Sequence, residues 1–356
     1  MNAEAVAGCL VGLAVGDALG LPREGLSPRR GARLYPHLDR HQLLFRRGLF
    51  SDDTEHACLV AHSLLVSGGD AAVFTRSLAR RLRWWFAACP AAVGLATLKS
   101  CVKLWLGFSP AKSGVFSAGN GPAMRAPLLG VCLGDDPERL GAFLRASTRM
   151  THADPKAEYG AFAVAWAAYT SAKSRGGPAP VARQFVDDLR RSLKLDASSA
   201  ALFDLLDTMV LSLEAGQGTG AFAESLDLGG GVTGYMYHTV PVALHAWLTH
   251  PDDYRAAVQA VIRCGGDTDT VAAITGAVVG ARVGATGVPD EWKRGVIDWP
   301  RSMRWVERLA ATVGDGAWRA APQPAQRLAV WAVLLRNAAF VPLVLLHGLR
   351  RLLPPY

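Results

Sequence analysis

The chain has 356 residues, enough for one large domain or two ordinary ones. Half of them are apolar and 19% are charged, which excludes general disorder. The net charge of +8 fits either a composition bias toward arginine or attraction to a polyanion such as a nucleotide, but no Lys/Arg run is dense enough to stand alone as a nucleic-acid site.

Residues 5–21 are mostly apolar. No basic residue precedes them and Asp17 interrupts the run, so they predict a buried helix rather than a signal peptide. Gly8, Gly12, Gly16 and Gly20 recur at every fourth position along one face of it. Residues 26–49 form a long basic segment with little periodicity, the pattern of a functional or mobile loop. Apolar residues then recur at helical spacing over 54–65, 71–86, 137–150, 156–174, 180–193, 200–213, 240–248 and 253–263. Gly/Pro/Asp clusters separate these stretches, as at 174–178 and 229–231, and alternating strand patterns are scarce.

The expectation is an all-α fold, a single-domain compact helical bundle over residues 1–320 followed by an apolar helical extension over 321–356. A second glycine stripe, Gly276, Gly280 and Gly284, lies near the end of the bundle. Each glycine costs a helix interior about 1 kcal/mol relative to alanine. Repetition at one spacing therefore predicts close helix–helix contact as the compensation, with the two striped helices at the centre of the domain.

The apolar stretch 328–353 is broken by Arg336, Asn337 and Pro342. It predicts terminal helices that close the core or mediate self-association of an otherwise monomeric chain. A membrane-surface helix ending in Arg350 and Arg351 is the alternative, and no membrane span is expected. The six cysteines form no CxxC pair and sit among apolar neighbours. They predict reduced core residues, a cytoplasmic location and no zinc site.

Two acidic clusters carry the chemistry. Ser51-Asp52-Asp53-Thr54 and Gly266-Asp267-Thr268-Asp269-Thr270 each precede an apolar helix. Taken singly, each is an ordinary helix N-terminus, with a capping side chain and acids at the positive end of the dipole. Taken together, they offer four carboxylates with hydroxyls and small neighbours, an oxygen-rich set suited to hard divalent cations. If the two helix starts meet, the carboxylates repel one another, and a two-ion site resolves the repulsion.

These two clusters resemble the paired signatures of the ADP-ribosylglycohydrolase family. Further segments agree in the same order: Gly8 to Gly20 with Glu24 following, Gly119-Asn120-Gly121-Pro122-Ala123-Met124-Arg125, Thr151-His152-Ala153-Asp154, and Gly234-Tyr235 before a helix. The resemblance spans roughly residues 5–295. It implies a metal-dependent hydrolase that cleaves the glycosidic bond between ADP-ribose and an acceptor, acting on an ADP-ribosylated protein or an ADP-ribose-containing small molecule and reversing ADP-ribosylation.

The resemblance also implies the site. Two Mg2+ or Mn2+ ions at a binuclear centre would be held by Ser51, Asp52, Asp53, Asp267, Asp269 and Thr270, with Asp53 and Asp269 essential to turnover. Glu24 would be the carboxylate that acts as base or stabiliser beside an oxocarbenium-like carbon. Gly119, Asn120 and Gly121 would turn backbone amides to the diphosphate. Met124 and His152 would line the substrate site, and Tyr235 would stack on adenine or ribose. Arg125 would pair with the acids around the metals, and His56 would point along its helix, away from the ions. Taken alone, these residues also fit plainer roles: a surface glutamate, a turn, a structural histidine and a core tyrosine.

One departure bears on the substrate. Ala92 stands where some arginine-directed members carry an aspartate with an assigned acid role, so the linkage is left open among arginine, serine, O-acetyl and other acceptors. Two competing functions are weighed as well: a non-catalytic ADP-ribose-binding or structural relative, and a two-metal phosphoesterase. The intact acid set argues against the first. The absence of a histidine in the second cluster argues against the other.

Overall fold

The computed structural model describes residues 2–193 and 196–354. Among them the chain forms nineteen α-helices and three short 3-10 turns, with isolated β-bridges in place of a sheet. The periodic stretches read from the sequence are helices at Asp52–Ser67, Ala71–Ala87, Pro137–Arg149, Pro155–Lys173, Ala182–Ser192, Ala197–Glu214, Met236–Thr249 and Tyr254–Arg263. The segment expected to be a loop contains one short helix, Pro28–Leu34, and is otherwise irregular.

The first helix, Ala3–Gly20, is capped by the side chain of Asn2 and buried almost along its whole length. It runs antiparallel to the Thr268–Val283 helix, and the glycine stripes form the contact. A Cβ added at Gly8 would come within 1.9 Å of Gly280 O, and at Gly12 within 2.2 Å of Gly276 O. At Gly16 it would meet Ala272 O at 2.2 Å, and at Gly20, Thr268 O at 2.3 Å. Backbone thus lies on backbone, and the close approach brings each helix's dispersion contacts to the other's main chain. Because the register runs from Gly8 against Gly280 to Gly20 against Thr268, the C-terminal end of the first helix meets the start of the other.

The other elements wrap this pair. The Pro127–Leu133, Pro155–Lys173, Met236–Thr249 and Met303–Gly314 helices cover its flanks, and Trp247, Trp292 and Trp318 are fully buried in the surrounding core. Five cysteines are buried and only Cys89 is exposed; all six are free. The last helix, Val330–Arg350, crosses the outside of this body.

The glycine contact makes a signed prediction. By helix propensity alone, Gly16→Ala stabilises by about 1 kcal/mol. Because its methyl would strike the Ala272 carbonyl, the substitution should instead destabilise by about 3 kcal/mol or more. Urea unfolding followed by circular dichroism reads the sign, and a stabilised variant would contradict the packing.

Candidate active site

The Ser51-Asp52-Asp53-Thr54 segment starts the Asp52–Ser67 helix, with Ser51 as its N-cap. Ser51 Oγ accepts from Asp53 N at 3.2 Å and donates to Asp53 Oδ2 at 3.0 Å. The orphan amides of this helix start are also served from outside, by the buried carboxylate of Asp17 on the first helix. Both Asp17 oxygens accept from Ser51 N at 3.0 Å, and Oδ2 accepts from Thr54 N at 3.1 Å and from the Thr54 hydroxyl. Asp17 is therefore an anion seated on a helix N-terminus.

The segment is held a third way. Phe50 N donates to Asp298 Oδ2 at 2.9 Å, while Arg336 of the last helix donates to Phe50 O and to Asp298 Oδ2, each at 2.6 Å.

The second cluster arrives through the glycine-packed pair. Gly265 and Gly266 both have positive φ, at 68° and 79°, and a Cβ on Gly266 would lie 2.0 Å from Val232 O. Glycine is required there by conformation and by space. This tight corner pairs with the Glu24 loop, since Gly25 N donates to Gly266 O and Gly266 N to Leu26 O, both at 2.7 Å. Asp267 Oδ2 accepts from Asn120 Nδ2 at 2.7 Å, and Thr270 Oγ1 donates to Asp53 Oδ2 at 3.2 Å. The two acidic signatures therefore do meet.

Their meeting point includes a residue the sequence reading passed over. One oxygen each of Asp17, Asp53 and Asp269 lie within 4.8 Å of one another, and all three residues are buried. Asp53 Oδ1 and Asp269 Oδ1 have no hydrogen-bond partner. Burial pushes the Asp17 carboxyl up to about 6, against the lowering effect of its hydrogen bonds to Thr54 and Ser51. Asp52, Asp53 and Asp269 are pushed well above the usual carboxylate range, first by burial and then by the neighbouring acids. Glu24 is raised too, by burial and by Asp267, with Arg351 acting in the opposite direction.

The acids open onto a cavity of about 360 Å3. Glu24, Ser51, Asp52, Asp267, Asp269 and Thr270 line it together with Gly119, Asn120, Gly121, Met124 and His152. Ala92 also lines it, at φ 56°.

Three placements differ from expectation. Gly119 N donates to Ser117 Oγ at 3.3 Å and Asn120 N to Gly234 O at 2.9 Å, so these two amides are spent inside the protein. What the glycines supply is room, for a Cβ on Gly119 or Gly121 would lie about 3 Å from the His152 ring. Tyr235 is absent from the lining: its hydroxyl accepts from Lys156 Nζ at 3.0 Å and its ring packs on Tyr237 and His238. Arg125 does not hydrogen-bond the acids. It is buried against Ser147, Thr151 and His56, and it thereby braces the His152 turn. Thr151 Oγ1 lies 2.9 Å from His152 Nδ1, and burial with the nearby Arg125 depresses His152 to about 3, so the ring is neutral. His56 meets the Trp85 ring edge-on, with centroids 4.4 Å apart.

With this geometry in hand, comparison with known proteins places the chain. The sequence profile of the ADP-ribosylglycohydrolase family matches residues 2–322. The chain belongs to that family. It is similar to ADP-ribosylhydrolase ARH3 of Xenopus tropicalis, at 25% identity over 85% of this chain and 93% of that one. It is also similar to the ADP-ribosyl-[dinitrogen reductase] glycohydrolase of Rhodospirillum rubrum, at 24% identity over 80% and 87% of the two chains. A solved structure described as an ADP-ribosylglycohydrolase-related protein complex shares the fold, with TM-score 0.62 and 24% identity over 89% of this chain and 98% of that one.

Crowded carboxylates are a cost in the absence of cations. Asp269 makes no side-chain hydrogen bond to protein groups at Oδ1 and is surrounded by Glu24, Asp267, Asp53 and Asp17. Asp269→Asn should therefore raise the melting temperature in chelator, by about 2 °C or more. A carboxyl raised in the folded state costs stability progressively as pH climbs above its unfolded value of about 3.9, so the gain should widen with pH. Calorimetry across pH reads both, and a lower melting temperature at neutral pH would contradict the electrostatic account.

Proposed function

We propose that this chain hydrolyses the glycosidic bond between ADP-ribose and an acceptor in a reaction that depends on two divalent cations, Mg2+ or Mn2+. The observation that carries the reading is the buried trio Asp17, Asp53 and Asp269, which leaves two carboxylate oxygens without a partner beside a cavity that Asp269 and Glu24 line.

The donor set fits hard cations, because every candidate ligand is an oxygen and the acids need positive charge to be ionised together. Ser51, Asp52, Asp53, Asp267, Asp269 and Thr270 are the residues that would hold the ions, with Asp17 added at the inner edge. The ions would supply Lewis-acid and template chemistry toward ribose hydroxyls and water.

The chain's own groups do the rest. Glu24 stands in the cavity wall, where its carboxylate takes a proton from water and offsets positive charge developing at the anomeric carbon. The Gly119–Gly121 turn lets a substrate approach the main chain closely. Neutral His152, held through Thr151, presents a ring nitrogen that exchanges hydrogen bonds with substrate without adding charge. The Ala92 position sits in the same cavity and leaves it without the acid that some arginine-directed members carry. Serine-linked, O-acetyl and other O-linked ADP-ribose therefore fit at least as well as the arginine linkage. The relatives named as hydrolases at 24–25% identity support the reaction class and leave the acceptor open.

The test is ADP-ribose release from arginine-, serine- and O-acetyl-linked substrates, with and without magnesium. Release from at least one, abolished by chelator, is expected; release unaffected by chelator would refute the metal dependence. Glu24→Gln should lower kcat by about a hundredfold or more while leaving Mn2+ binding in place. An unchanged kcat would remove Glu24 from the chemistry.

A further inference from the structure

Among the described residues, two helices are long and apolar enough to cross a membrane, and they meet opposite surroundings. The first helix has 94% of its most apolar stretch buried; the last, Val330–Arg350, has 22%. The last helix lies beyond the family-matched residues 2–322. It docks by a narrow face, through Ala332, Asn337 and Phe340, with Asn337 Nδ2 donating to Ala88 O at 2.7 Å and His347 Nε2 lying 2.9 Å from Pro22 O. Its other face is apolar and open: Trp331, Leu335, Leu345, Leu346 and Leu349 are each 58–65% exposed. An open face of this extent needs cover.

Charge distinguishes the candidates for that cover. Residues 316–356 contain no aspartate or glutamate. At its C-terminal end the helix carries Arg350 and Arg351, and the Pro28–Leu34 helix beside it adds Arg29, Arg30 and Arg33. The two are fixed as neighbours by Arg30, which donates to the carbonyls of Arg351 and Leu353. Arg29, Arg33 and Arg350 are exposed. At the other end, Trp331 packs against Trp299 with ring centroids 5.7 Å apart, and both rings are partly exposed. An apolar face, a basic rim and amphipathic aromatics together suit the interface of an anionic bilayer. A second copy would bury the same face, but neither tail carries an acid to pair with the other's exposed Arg350, and Arg351 is already turned to Glu24, 4.0 Å away. A spanning helix would have to break the bonds from Arg336 and Asn337 that hold it to the body.

We propose that the outer face of Val330–Arg350, with Arg350 and the neighbouring Arg29 and Arg33, seats this protein on an anionic lipid surface, the helix lying in the plane of the interface. The test is sedimentation of the full chain with vesicles of phosphatidylcholine alone and of phosphatidylcholine mixed with phosphatidylglycerol. Binding should be roughly tenfold or more tighter to the mixed vesicles and should weaken with salt. Leu345→Glu with Leu349→Glu should abolish it at unchanged melting temperature, since both side chains are exposed. Arg29→Gln with Arg33→Gln should remove most of the anionic preference. Equal binding to both vesicles, or to neither, would overturn the proposal. So would a lipid-free dimer that the Leu345→Glu variant dissociates, or a membrane-bound form released only by detergent. None of these readouts depends on the hydrolase reading.

Discussion

The structure rests on one contact, the antiparallel packing of the first helix against Thr268–Val283 through facing glycines. Side chains on either helix would hold the two main chains apart. Glycine at every fourth position lets them close to main-chain contact, at the cost of helix propensity. The register then determines the chemistry. Asp17 lies one turn before the end of one helix and Asp269 in the first turn of the other, so closing the pair brings two buried acids together. A residue larger than glycine along this seam displaces the acids as well as the helices.

The first acidic signature is seated on this pair rather than stabilised by its own sequence. Asp17 accepts from the helix start at Ser51 and Thr54, and Asp298 accepts from Phe50 with Arg336 bridging the two. The last helix therefore contributes directly to the site's support, although it lies outside the matched family region. The fold pays electrostatically for this assembly, since burial raises Asp17, and burial together with neighbouring acids raises Glu24, Asp52, Asp53 and Asp269. Such a cost is retained where function needs the groups. Cations would offset it.

Much of this was legible in the sequence because it is periodic or local. The long helices show as apolar spacing, the central contact as two glycine stripes, and the candidate ligands as clusters at helix starts. What was missed is non-local or solitary. In the sequence Asp17 shows only as a break in an apolar run; the further sign is that an acid inside an otherwise buried helix needs a partner. Asp298 and Arg336 bind Phe50 from nearly 250 and 286 residues away in the chain, and no local pattern marks such a bond. The Leu95–Trp105 and Met303–Gly314 helices are absent from the sequence expectation although each buries one face at helical spacing, so the signal for them was present. The Gly119–Gly121 sequence suits an amide nest, but which way an amide points depends on its partners, here Ser117 and the Gly234 carbonyl.

The most direct measurement is the stoichiometry of Mn2+ binding by electron paramagnetic resonance on the full chain and on Asp17→Asn and Asp269→Asn. The account predicts two ions per chain with coupled signals, and loss of the coupled pair in both variants. Absence of binding to the unaltered chain, or the same coupled pair in the variants, would contradict a cation site built from the acids at the glycine seam.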